Sequence, residues 1–222
     1  MMMNIFSIFD PSSSSNLSLN WISMFLMFTL LPFQMWIIPT RFTLLWNYCI
    51  NYIFKEFKVL INYSFSNLIT FASLITFIFF NNFLGLFPYI FTASSHMSIC
   101  LSLSLPLWLG MMIYSITNYF NDLMTHLTPS GTPFILMPFM VIIESISLLI
   151  RPFTLAIRLT ANMIAGHLLL SLLGSSGQSI SNMFMLNFLI LTQILLFILE
   201  ISVSLIQAYV FSVLSTLYSS ES

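Results

Sequence analysis

Two apolar stretches, residues 134–173 and 178–218, make up most of the second half of this 222-residue chain and hold only four charged side chains between them. As α-helices each would measure about 60 Å at ~1.5 Å per residue, twice the ~30 Å hydrocarbon core of a bilayer. The rest of the chain offers nothing to hide them: 59% of all residues are hydrophobic and 5% are charged, against about 25% charged in an ordinary soluble domain. That is too little charge to coat a globular surface. The abundance of Phe, Leu and Ile excludes disorder. Five basic residues against six acidic ones leave no basic stripe for nucleic acid. The remaining reading is all-α: one polytopic membrane domain over residues 1–222, with the lipid bilayer as its main solvent.

The upstream segments read as follows. Residues 17–38 form a first apolar span, with Trp21 and Trp36 placed to anchor at its two interfaces and Pro32 expected to bend it. Residues 41–62 mix Arg41, Lys55, Glu56 and Lys58 with Trp46, Phe54, Phe57 and Leu60, a pattern suited to a helix lying on the membrane surface. Residues 66–86 and 99–120 read as further spans, the latter containing Pro106. The turn signals of Thr128-Pro129-Ser130-Gly131-Thr132-Pro133 then break the chain. Each long stretch after them is either two short helices or one steeply tilted helix. The first has only Arg151-Pro152 at its midpoint and the second has no Gly or Pro. This favours two long tilted helices joined as a hairpin at Gly174-Ser175-Ser176-Gly177, about 60° from the normal and so well beyond the usual ~20°. Pro152 leaves the Leu148 carbonyl without its helical partner and is expected to kink the first of them. Three of the five basic residues lie in 41–62. By the positive-inside tendency this segment and the C-terminus face the cytoplasm-equivalent side, and the N-terminus faces the other.

Several chemistries are excluded or weak. Cys49 and Cys100 show no metal or redox spacing. His96, His126 and His167 are too scattered for a bis-histidine haem site. No glycine-rich phosphate loop is present, so direct nucleotide binding is not expected, and nothing requires a cofactor or a metal. The start of the chain has neither a secretory signal nor an Arg-rich transit helix. Its Met- and Phe-rich, Lys- and Arg-poor composition is similar to that of organelle-encoded proteins.

The informative residues are the ionisable ones inside the long stretches, each costing about 2.5–3.5 kcal/mol at mid-membrane on insertion scales. Glu144, Arg151 and Arg158 are spaced by seven and fall within ~40° of one another on a helix; Asn162 continues that seam. Gln193, Glu200 and Gln207 repeat the spacing on the last helix, with Ser204 one turn beyond Glu200. His167 lies on the face opposite Arg158 and serves a different cavity. Polar seams can simply pack helices, at about 0.6–2 kcal/mol per contact. Titratable groups of three kinds strung along two helices are instead what a proton path needs.

The run Leu155-Ala156-Ile157-Arg158-Leu159-Thr160-Ala161-Asn162-Met163-Ile164-Ala165-Gly166-His167-Leu168-Leu169 closely resembles the signature of subunit a of rotary ATP synthases, in its mitochondrial form. Asn82-Phe83-Leu84-Gly85-Leu86-Phe87-Pro88, Gly131-Thr132-Pro133, Val141 to Ser147, and Leu199-Glu200-Ile201 through Phe211 extend the resemblance over nearly the whole chain. It implies a non-catalytic stator subunit of the inner mitochondrial membrane, working with a ring of c subunits, the peripheral stalk and other membrane-sector subunits. It implies that Arg158 faces the ring. Glu144 is then the acid of the matrix-side half-channel, and His167 and Glu200, with Asn162 beside them, line the half-channel from the intermembrane space. Gln207 lies close to the arginine, and no role carries over to Arg151. A tight connection at 174–177 would set Arg158 opposite about residue 193, well short of Gln207. Their proximity is therefore implied by the resemblance alone. Two other classes stay open on the residues themselves: a membrane subunit of a respiratory dehydrogenase or cation–proton antiporter, although both lysines lie outside the apolar stretches, and an assembly protein whose seams only pack helices.

Overall fold

The computed structural model describes residues 5–14, 17–61, 65–128, 131, 133–177 and 182–221, and among these the regular structure is entirely helical. The helices are α1 (Met27–Leu30), α2 (Arg41–Leu60), α3 (Phe65–Gly85), α4 (Met97–Asn118), α5 (Phe120–His126), α6 (Met137–Ser176) and α7 (Met183–Glu221). Four segments built on α3, α4, α6 and α7 are long and apolar enough to cross a membrane: Asn67–Gly85, Met97–Asn118, Phe134–Ser176 and Met183–Ser220, the last two running to 43 and 38 residues. A lipid environment forces such helices, because every backbone donor and acceptor must be satisfied within the segment. Pro138 enters α6 in its first turn, where no helical hydrogen bond is lost. The helix then continues unbroken through Pro152.

The 17–38 segment departs from the expected single span. A 3-10 helix at Leu19–Leu26 passes into the one-turn α1, and the chain then leaves helical geometry. The cause is Pro32. The residue before a proline is pushed out of the α region, and Leu31 sits at φ −67°, ψ 125°. Pro32 thus ends the helix instead of bending it, and Trp36 stands 80% exposed in non-helical chain. Side chains tie this short element down: Ser23 Oγ donates to the Phe91 carbonyl at 2.9 Å, and Trp21 packs edge-on against Phe91.

Thr40 caps α2, its hydroxyl accepting from the Thr43 N–H. The apolar stripe of α2 packs on the protein: Phe57 is fully buried with Ile61, Leu68 and Phe71, and Trp46 meets Phe80 at 5.3 Å. Lys55 and Lys58 point out, exposed. α3 ends at Gly85, where an added Cβ would come 2.9 Å from Thr92 Cγ2, so only glycine lets the chain fold back this closely. The main core joins α3, α4, α6 and α7 through Ile75, Ile78, Cys100, Leu155, Ala156, Leu159, Ala208 and Phe211.

The hairpin also differs from expectation. Gly174, Ser175 and Ser176 are still helical, so the connection lies beyond Ser176, between α6 and α7. Residues 178–181, including the expected start of the last helix at Gln178, lie outside the described residues, as do Pro129, Ser130 and Thr132 of the expected turn.

Candidate functional site

Three glycines fix how α6 and α7 face each other. The Cβ position of Gly177 lies 3.9 Å from Leu189, that of Gly174 lies 3.8 Å from Gln193 Nε2, and that of Gly166 lies 2.9 Å from Glu200 Cδ and Oε1. From Gly177 to Gly166 the chain goes eleven residues back along α6 while its contacts go eleven forward along α7, from Leu189 to Glu200, the mark of an antiparallel pair in steady register. Continued about two turns beyond Gly166, this register sets Arg158 level with Ala208 and so within one residue of Gln207. The shared packing of Leu155, Ala156 and Leu159 with Ala208 and Phe211 agrees. A tight connection would have set Arg158 opposite about residue 193; the register instead brings it level with Gln207, in line with the resemblance.

The ionisable side chains divide into two groups at opposite ends of α6. At its C-terminal end Glu200 is 7% exposed, and neither carboxylate oxygen has a hydrogen-bond partner among the described residues. The buried His167 Nε2 likewise has none, and its ring meets Phe9 edge-on at 6.3 Å. An unpartnered polar group in the interior costs several kcal/mol, which packing alone does not explain. Asn162 stands half-buried one turn before Gly166.

At the N-terminal end Glu144 and Arg151 form an ion pair at 3.7 Å, and the Arg151 guanidinium lies 4.8 Å from the centre of the Tyr218 ring. Both pair members line a cavity of about 480 Å³ between α4, α5, α6 and the end of α7. Leu148, whose carbonyl loses its partner to Pro152, lines it too.

Arg158 belongs to neither group. It lies nine residues before His167 and fourteen after Glu144, about 13 and 21 Å along the helix axis. Its side chain is exposed beside Thr154, Ile157, Ala161 and Ala165, with no hydrogen bond or ion pair among the described residues. On α7, Ile206 and Tyr209 at this level are exposed too. Gln207 is half-buried. Of the six residues singled out from sequence, the fold thus sets Glu200 and His167 toward one end, Glu144 toward the other, Arg158 with Gln207 at the level between them, and Asn162 one turn from Arg158 on the way to His167.

Outside the membrane helices, Glu56 holds the Tyr52 phenol above its usual range through a hydrogen bond and its negative charge. Glu56 also accepts from the Tyr209 hydroxyl at 3.3 Å, fixing α2 beside the C-terminal half of α7. Sequence reasoning missed Asn82, which is fully buried with both polar side-chain atoms unpartnered among the described residues. An amide within an apolar helix was the available signal, the same one that marked Asn162. It also passed over Asp122 and His126, which line the cavity beside Glu144.

Residues 17–220 match the protein family described as ATP synthase A chain. The chain is similar to proteins named ATP synthase subunit a: 55% identical to that of Anopheles quadrimaculatus over 224 residues, 56% identical to that of Drosophila melanogaster over 223, and 53% identical to that of Aedes aegypti over 224. In each case the similarity covers 100% of this chain and 99% of the relative.

Proposed function

The chain belongs to the ATP synthase A chain family, and from that premise we propose how its residues carry protons in the membrane sector of the mitochondrial enzyme. It is a multi-pass subunit that takes part in proton translocation as part of the stator. In our reading Arg158 faces a rotating ring of c subunits, each bearing one carboxyl group in the membrane. The observation that carries this reading is the exposure of Arg158, unpaired among the described residues, on an apolar face of a membrane helix. A permanent cation there needs an anion from another chain.

The ring carboxyl can meet lipid only when neutral, because burying its charge is costly. A proton enters past His167, Glu200 and Asn162 from the intermembrane space and forms the O–H bond of an ionised ring carboxylate. That carboxyl travels nearly a full turn. On reaching the second half-channel it gives its proton toward Glu144 and the matrix, and the resulting carboxylate pairs with Arg158. Arg158 favours the ionised form and keeps the two half-channels apart, so that a proton crosses only when the ring turns. Gln207, level with Arg158, holds the guanidinium by hydrogen bonding. The membrane potential contributes about 2.3 kcal/mol per charge per 100 mV. The N-terminus faces the intermembrane space, while α2 and the C-terminus face the matrix. The peripheral stalk holds the subunit against rotation.

Arg158→Lys tests the reading. Arginine keeps its proton under any accessible condition, whereas a lysine in an apolar seam can lose one and relay it. Membranes carrying assembled Arg158→Lys enzyme should show almost no proton-driven ATP synthesis. Near-normal synthesis means that any positive charge suffices and that the account of Arg158 as a permanently charged gate is wrong.

A further inference from the structure

We propose that Asp122 and His126 of α5 form the matrix-side mouth of the proton path, passing protons between Glu144 and bulk water; this rests on the reading of Glu144 given above. The cavity of about 480 Å³ exceeds the 20 and 10 Å³ of the two others described. It has room for on the order of ten water molecules at ~30 Å³ each. Its titratable and charged lining is Tyr119 just before α5, Asp122 and His126 on α5, Glu144 and Arg151 on α6, and Tyr218 on α7, while α4 faces it with Trp108, Met111, Met112 and Ser115.

Three features assign the mouth to α5. Asp122 and His126 are four residues apart and therefore share one side of this short helix. Both are exposed while Glu144 is only partly so, which orders them from outside to inside along the cavity. The chain breaks helical geometry at Tyr119, at φ −132°, ψ 44°, so α5 leaves the line of α4 and closes the cavity instead of prolonging the span.

The chemistry is a proton relay without net reaction. Glu144 gives its proton through cavity water to one imidazole nitrogen of His126, and the other nitrogen releases its proton to the matrix. Imidazole is the side chain best suited to both steps near neutral pH. Asp122, one turn before His126 on the same side of α5, adds a polar group at the mouth through which cavity water meets bulk water.

The test uses the whole enzyme in sealed vesicles with weak buffer on the matrix-facing side. His126→Gln and the double variant Asp122→Asn/His126→Gln are compared with Glu144→Gln for proton-driven ATP synthesis across pH. Each is measured with and without imidazole added to that side, and subunit content is used to count assembled enzyme. We expect a several-fold loss in the double variant, steeper toward high pH, that added imidazole largely restores; a small proton carrier replaces a relay but does not repair a distorted fold. Unchanged synthesis in the double variant beside a loss in Glu144→Gln overturns this proposal and leaves the role of Glu144 standing. A loss in the double variant that imidazole does not restore also overturns it, since the two residues then act structurally. Full activity in Glu144→Gln overturns both.

Discussion

Gly166→Ala places a methyl group where the structure has no room for one. The new Cβ would lie 2.9 Å from Glu200 Cδ and Oε1 and 3.4 Å from Cγ. Carbon atoms rest at about 3.5–4.0 Å, so the carboxyl group must withdraw by roughly 0.6–1 Å or α6 and α7 must separate. Because the atoms met are the far end of the flexible Glu200 side chain, the carboxyl group is what yields, at the low end of the about 1–3 kcal/mol that overpacking costs, equivalent to a roughly 5-fold fall in occupancy of the native arrangement. By helix propensity alone the substitution would help, since alanine gains about 0.5–1 kcal/mol over glycine inside a helix. Gly110→Ala is the control, because nothing lies within 4 Å of its Cβ position. ATP synthesis per assembled enzyme in vesicles should therefore drop at least several-fold for Gly166→Ala and stay unchanged for Gly110→Ala. Adding Glu200→Asp to Gly166→Ala shortens the acid by one methylene and makes space for the methyl group, so the double variant should outperform Gly166→Ala alone. Wild-type synthesis in Gly166→Ala, or no gain from Glu200→Asp, would refute the close approach of these helices as the device that holds Glu200 in place.

Two topological predictions follow from the same arrangement. Cysteine at Glu200 or Asn162 should react with a polar thiol reagent from the intermembrane space, and cysteine at Glu144 from the matrix; labelling of all three from one side would eliminate the two half-channels. Lys55 and Lys58, exposed on α2, should react with an impermeant amine reagent on the side where the C-terminus is found, because Glu56 of the same helix meets Tyr209 of α7. Labelling from the opposite side would invert the whole orientation.

Much of this protein is readable in its sequence. Lipid imposes long apolar helices with all backbone groups paired internally, so α3, α4, α6 and α7 follow from composition and length. The cost of a charge in that setting marks Glu144, Arg158, His167 and Glu200 without any structure. The amphipathic pattern of α2 is equally local. It foretold which side chains turn inward, though not that Phe57 and Trp46 would meet protein, at Phe71 and Phe80. The first span was misread for a local reason as well: the effect of Pro32 on Leu31 outweighs the apolar run around it.

The register of the last two helices was beyond the sequence pattern. Gln193, Glu200 and Gln207 repeat every seven residues, so sliding α7 by one or two repeats along α6 brings an equivalent polar seam to the same face. A periodic pattern cannot choose between such registers. What breaks the degeneracy is close packing at single positions, where Gly166, Gly174 and Gly177 admit Glu200, Gln193 and Leu189 and only one alignment fits them all. The cavity beside Glu144 has the same origin. It forms between residues of α5 and α7 nearly one hundred positions apart, whose meeting depends on how whole helices pack and is encoded in neither local segment.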